Sequence, residues 1–293
     1  MNAEPVQLTC EQRARVPTVI VIGAAKAGTS SLHAYLDAHP EIAMSHPKEL
    51  NFFGRDGNMV RLPWYLDHFD PAFAVRGESS PSYSQYPRLV GQPDRIRAIN
   101  PGVKLIYLVR DPIPRAIAHW AQQVSARAES RSLVQAFADL DPHRNLYVCG
   151  SSYATQLEDY LRCFPRSQTL VVDQHRLRHD RRETVRGVFA FLGVDPEFWS
   201  PVFATEMNRG ERDQRRLTGF GEALRHSPAK AALRRLPLPA RRRSGELAKR
   251  ILSRRVVRPE LPGEALSRLA DGLAPEAGRL RELTGQDFST WSV

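Results

Sequence analysis

Three short stretches of the chain carry residue types that could do chemistry. The first is "VIVIGAAKAGTSSL" (19–32), an apolar run, then a loop of small residues around Lys26, then a helical pattern. Gly23 and Gly28 are separated by four residues, as in a phosphate-cradling loop that holds magnesium through a Lys-Ser/Thr pair directly after its second glycine. Here Thr29 follows Gly28 and the lysine lies inside the loop. A helix N-terminus still gathers an anion through its free N–H groups and dipole. A lysine within the turn would touch the terminal anionic group or its bridging oxygen. The plain alternative is a Gly-Thr-Ser helix start beside a solvated lysine.

The second stretch is "HPKELNFF" (46–53), where Glu49 follows His46 and Lys48. A carboxylate placed within about 2.6–3.2 Å of a hydroxyl could act as general base; standing alone, Glu49 reads as a helix-start glutamate facing water. The third is Arg110, at the end of "VKLIYLV" (103–109). A guanidinium fork matches a phosphate, and its plain reading is a structural arginine bonded to loop carbonyls or to Glu78.

These residues need elements to hold them. Residues 17–23, 103–109 and 169–173 read as buried strands, short β-branched runs with abrupt ends. "EIAMS" (41–45) and the start of "VRGESSPSY" (75–83) read as two more. Helices are expected over 29–38 with Thr29 or Ser30 as N-cap, within 64–69, over 88–99, from Pro112 through Ala126, and over 153–163, 181–192 and 264–284. Strands alternating with helices predict an α/β fold: a P-loop-like three-layer arrangement with a central, mostly parallel sheet flanked by helices. Ligands then belong at the carboxyl ends of the strands. The expected division is a tail (1–16), a core (17–205), and a basic helical segment with a C-terminal helix (206–293) packed on the core as part of the same domain.

The chain has 293 residues, 42% of them hydrophobic, and no run of 18 apolar residues, which argues against a membrane span. The first residues lack an apolar leader core. Cys10, Cys149 and Cys163 are an odd, scattered set, which speaks against a disulfide framework or a zinc site and for a reducing cytosol. The net charge is +10, yet residues 225–258 hold twelve Lys/Arg against one Glu, a balance of +11 that leaves the remainder near −1. That segment has three readings. It could be a positive wall attracting an anionic acceptor or the nucleotide. It could be a membrane-surface helix in which Leu247, Ile251 and Leu252 interleave with cations, or simply a solvated face. It lacks the interleaved aromatics of a nucleic-acid surface.

Taken in order, "GAAKAGTSSL", "HPKELNFF", "GESSPSY" (77–83), "LIYLVRDPIPRAIAHW" (105–120) and "SSYATQLEDYLRCFP" (151–165) resemble the PAPS-dependent sulfotransferases. The similarity is to the carbohydrate (heparan-sulfate-like) and bacterial branch, over residues 17–200 and again at "RLRELTGQDFSTW". The resemblance implies that the loop holds the 5′-phosphosulfate of PAPS (3′-phosphoadenosine 5′-phosphosulfate) through Lys26, Ala27, Gly28, Thr29 and Ser30. It implies catalytic roles for Lys26, which would steady the leaving oxygen, and for Glu49 as general base. Arg110 would hold the 3′-phosphate, with Tyr153 and Ser151 near the nucleotide and Arg209 or Arg212 closing over it. Ala118 stands where the family usually shares that phosphate with a serine, and Ser79 where heparan-type enzymes carry a lysine. The activity implied is in-line transfer of a sulfuryl group, without a metal, to a hydroxyl of a glycan, a lipid-linked sugar or a small secondary metabolite. It would take place in the cytoplasm, with 225–258 as a candidate contact with the inner membrane face. Two rival functions remain: a P-loop kinase or NTPase using Asp173 at the end of "TLVVD", and a catalytically decayed nucleotide- or membrane-binding module.

Overall fold

The apolar runs form the centre of one five-stranded, all-parallel sheet. A computed structural model describes residues 6–54, 58–205, 215–217, 253–255 and 260–293 of the chain. In chain order the strands are β1 (Val19–Gly23), β2 (Ile42–Met44), β3 (Val75–Ser79), β4 (Lys104–Val109) and β5 (Thr169–Asp173), and in space they lie β2-β3-β1-β4-β5. Every residue of β1 is buried, and so is β4 after Lys104. Their unbroken β-branched and leucine content is what a strand covered on both faces requires. β1 sits between β3 and β4, and the chain visits one side of it before the other. The crevice of such a sheet opens where the strand order reverses, at the carboxyl ends around β1.

Helices cover both faces. Thr29–Asp37 follows β1 and buries Leu32, His33, Tyr35 and Leu36. Pro112–Ser125 follows β4, with Asp111 accepting from the Ile113 N–H at its start. The long helix Gly263–Thr284 buries Ala265, Leu269, Leu273, Ala277 and Leu280, one apolar stripe at helical spacing. It packs against the helix Tyr153–Leu161 and against Pro112–Ser125. Polar ties fix it there: Thr155 donates to Glu276 through its N–H (3.0 Å) and its hydroxyl (2.7 Å), and Arg279 pairs with Glu158 at 2.8 Å. The last residues return to the sheet, where Ser292 donates to Asp111 through N–H and hydroxyl, both at 2.9 Å.

Two local expectations change. The helix after β1 is capped neither by Thr29 nor by Ser30; its N-cap is Gly28 at φ +98°, because the loop must turn through the left-handed region to reach the helix. In the basic segment the described residues Ser253–Arg255 are extended, not helical. They form β7, antiparallel to β6 (Arg215–Leu217), a ladder with a distant segment that overrides local spacing. The rest of the expectation for 225–258 lies outside the described residues.

Candidate active site at the carboxyl ends of β3, β1 and β4

The loop that leaves β1 is bent by its neighbours. The register between β1 and β4 shifts between Val21 and Gly23, and the Ala24 N–H donates to the Leu108 carbonyl at 2.6 Å. A turn follows, closed by the Ala27 N–H on the Ala24 carbonyl at 3.1 Å. Lys26 has φ +71°. A non-glycine residue there costs about 1–2 kcal/mol, so the surroundings must hold it. They do: Arg110 Nη1 donates to the Lys26 carbonyl at 3.1 Å and Arg115 Nη1 to the Ala25 carbonyl at 3.3 Å. The helix Thr29–Asp37 then begins with no side chain capping it. Its first-turn N–H groups lie beside a loop whose carbonyls two guanidiniums hold, and free N–H groups at a helix start are donors of the kind an anion needs. Ala27 is fully buried and can offer only backbone; Thr29 is buried and Ser30 half-buried.

Arg110 therefore has a structural task, fastening the loop from behind, and the Tyr153 hydroxyl in turn donates to the Arg110 carbonyl at 2.8 Å. Ser151 accepts from Arg115 Nε at 2.8 Å and donates to the Pro112 carbonyl at 2.9 Å. Ala118 is fully buried and brings no polar atom. Arg209 and Arg212 lie outside the described residues.

Glu49 belongs to the loop after β2. It has φ +69°, and its N–H donates to the Ser79 carbonyl at 3.1 Å. Since Val21 of β1 pairs with Ser79 of β3, this ties Glu49 to the same end of the sheet as the Lys26 loop. Its Oε1 takes Lys48 Nζ at 2.6 Å; its side chain is 52% exposed, and Oε2 has no hydrogen-bond partner among the described residues. A carboxylate held by one oxygen and open at the other can receive a proton. His46 is tied away, its Nε2 3.0 Å from Asp37 Oδ2.

Several residues that sequence reasoning passed over build the floor of the site. Asn51, at φ +51°, donates its N–H to Ser80 Oγ at 3.0 Å and its amide to the Glu49 carbonyl at 2.8 Å. Ser80 in turn donates to Glu78 at 2.5 Å, and Glu78 also accepts from Tyr65 and Tyr83, both at 2.8 Å. Glu78 is fully buried, and burial raises its pKa above the ordinary glutamate value. Three hydroxyl donors, not Arg110, satisfy it. Across the strand, His33 Nδ1 lies 3.0 Å from Ser79 Oγ, joining the helix that starts at the loop to the strand whose Ser79 carbonyl holds the Glu49 N–H. Burial, and then the charge of Lys48, push the His33 pKa down to about 4, so the ring is neutral at neutral pH. His119, beside Arg115, is lowered to about 3 by burial and then by Arg115, Lys26 and Arg88. The one signal in the sequence for this floor was the alternation in "GESSPSY", which sends Glu78 and Ser79 to opposite faces of β3.

Asp173 accepts from the His175 N–H at 3.0 Å and so caps the helix Gln174–His179. Among the described residues no group of three or more His, Cys, Asp or Glu converges as a metal site would, and no helix is long and apolar enough to cross a membrane.

The family model described as "Sulfotransferase domain" matches residues 16–209. Heparan sulfate glucosamine 3-O-sulfotransferase 3B1 of Mus musculus is 29% identical over 285 residues, covering 94% of this chain and 65% of that protein. The bifunctional heparan sulfate N-deacetylase/N-sulfotransferase 3 of Homo sapiens is 27% identical over 220 residues, 69% of this chain and 25% of that protein. The chain thus spans less than two thirds of the length of these curated relatives. Among solved structures, a sulfotransferase from Alicyclobacillus acidocaldarius superposes with a TM-score of 0.65 at 22% identity, over 94% of this chain and 99% of that one. That likeness is one of fold.

Proposed function

The chain belongs to the sulfotransferase family, and from that premise we propose that it moves a sulfuryl group from PAPS to a hydroxyl of a glycan or a small glycan-like acceptor. The donor supplies the activated sulfuryl group. The backbone of Lys26–Ser30 and the uncapped helix start at Gly28 hold its 5′ end. The Lys26 ammonium sets a positive charge where an S–O bond breaks and a phosphate oxygen is left with the electron pair. Arg110 serves the 3′-phosphate, whose oxygens a guanidinium fork matches.

Glu49 takes the acceptor's proton as the new O–S bond forms. The Lys48 pair keeps its carboxylate oriented, and the Asn51 and Ser79 bonds hold its backbone in a conformation that glutamate would not choose alone. Oxygen for oxygen, one S–O bond is exchanged for another, and the proton passes to Glu49 and then to water. The relatives named for heparan sulfate favour a sugar hydroxyl over other acceptors. With three free thiols, the protein fits a reducing compartment such as the cytosol.

The observation that carries this reading is the Lys26 loop, held in a left-handed turn by two guanidiniums in front of an uncapped helix. Thermal unfolding with and without adenosine 3′,5′-bisphosphate tests it: a ligand present at 100 times its Kd adds about 2.7 kcal/mol and raises Tm. An intact fold with no shift at saturating ligand would sink the donor assignment. Incubation with labelled PAPS and an extract of the source cells, followed by mass analysis of whatever gains sulfate, identifies the acceptor; no transfer from PAPS together with phosphoryl transfer from Mg·ATP would favour the kinase reading.

A further inference from the structure

Arg115 is an anomaly of charge. It lies on the helix Pro112–Ser125 with no exposed surface at all. Nε donates to Ser151 Oγ at 2.8 Å, Nη1 to the Ala25 carbonyl at 3.3 Å, and Nη2 to the Tyr147 carbonyl, while His119 Nδ1 stands 3.4 Å from Nη1. All four partners are neutral: because arginine only donates, His119 Nδ1 must be the unprotonated nitrogen. Among the described residues no carboxylate pairs with Arg115, and Arg110, of the same sign, acts on it. Burial lowers its pKa. A guanidinium taken out of water without a counter-ion is costly, and native proteins rarely leave one so.

The fold makes room for it deliberately. A Cβ on Gly150 would stand 2.6 Å from Arg115 Nη1 and 3.0 Å from its Cζ, so that only glycine admits the guanidinium here. Arg115 also reaches the very loop at issue. The C=O and N–H of a trans peptide unit point opposite ways; with the Ala25 carbonyl turned back to Arg115, the Lys26 N–H is turned forward.

We infer that Arg115 is a positioning residue for the anionic donor: a buried positive charge clamped behind the Ala25 carbonyl, whose missing counter-charge is the phosphate end of the bound nucleotide. This rests on the proposed reading of the Lys26 loop as the phosphosulfate site, and deepens it. Arg115 touches the loop and not the reacting atoms; it raises the affinity of the loop for a polyanion by its charge and by the turn it fixes.

The test separates charge from hydrogen bonding. Arg115→Lys keeps the charge and loses the fork; Arg115→Gln keeps amide donors and loses the charge. Kd for adenosine 3′,5′-bisphosphate is measured by calorimetry on each folded protein, together with KM for PAPS and kcat. The charge argument expects Arg115→Lys to bind within about threefold of wild type and Arg115→Gln at least about tenfold more weakly, since one tenfold step is 1.4 kcal/mol. KM should rise with kcat held within a few-fold, the mark of lost uniform binding. Gly150→Ala, which crowds the guanidinium off the loop without removing it, should weaken binding several-fold and serves as the second variant where Arg115→Gln does not fold. Wild-type affinity in a folded Arg115→Gln protein, equal losses in the Lys and Gln variants, or unchanged binding in Gly150→Ala each overturns the proposal. Wild-type protein that does not bind the nucleotide at all overturns the functional reading instead, so the two failures are distinct.

Discussion

Replacing His119 by asparagine should flatten the acid limb of the stability curve. In the fold His119 has a pKa of about 3, against 6.5 for the free side chain, with burial as the first cause and Arg115, Lys26 and Arg88 adding to it. The sign follows from the depressed value. The unfolded chain takes up a proton near pH 6.5 that the folded chain refuses, so the neutral ring's contribution is complete above that pH and is lost as pH falls toward about 3. Integrated from about pH 7.5 down to about pH 5, the loss from this one group is about 2 kcal/mol. The side chain is 5% exposed, so solvent screening takes little away from it. Asparagine keeps an acceptor for Arg115 and does not titrate. Urea unfolding of wild type and His119→Asn at the two pH values measures the difference. The variant should lose about 2 kcal/mol less than wild type on acidification; it will still slope, because His33, lowered to about 4, contributes a similar share. Parallel curves for the two proteins would refute the reasoning, since they would mean that His119 takes up its proton as readily in the fold as outside it.

The other expectations concern the loop, the base and the buried carboxyl. Glu49→Gln should bind adenosine 3′,5′-bisphosphate as wild type does but lose about 10²–10⁴ in kcat, the usual worth of general base catalysis, as read from labelled sulfate transfer; wild-type turnover would remove Glu49 from its role. Gly28→Ala meets only Gln174 Cγ and Leu108 Cδ2, both at 3.6 Å, so there is space for the methyl, and the cost is conformational. Denaturation should show a loss of about 1–2 kcal/mol from the φ of +98°, and no loss would mean that the turn relaxes. Glu78→Ala leaves the hydroxyls of Tyr65, Tyr83 and Ser80 buried without their acceptor; at about 1–3 kcal/mol per orphaned donor, unfolding should show more than 3 kcal/mol lost. A variant within 1 kcal/mol of wild type (about one orphaned donor's worth) would show that these hydroxyls find other partners.

Much of the fold was legible because its signals are local. β1, β4 and β5 each announce themselves by an apolar β-branched run with an abrupt end, and all three lie within the stretches expected of them. The helix 181–192 ends at Gly193 as its sequence implies, for the left-handed φ of +83° there suits glycine. Lys26 and Arg110 could be singled out by type and position, and the parallel order of the sheet brings them together at adjacent strand ends. The basic segment was misjudged at Ser253–Arg255 because a helical spacing says nothing of a strand partner far away in the chain.

What the sequence determined alone was the alternation of strands and helices and a loop of small residues between Gly23 and Gly28 with a lysine inside it; both are properties of neighbouring residues. Tertiary structure alone decided which charges are buried and what answers them. Arg115 meets the loop from 90 residues away, Tyr65 and Tyr83 converge on Glu78 from either side, and His33 finds Ser79 46 residues on. Desolvation and hydrogen-bond satisfaction act between side chains that only folding brings together, so no spacing in the chain could have shown them.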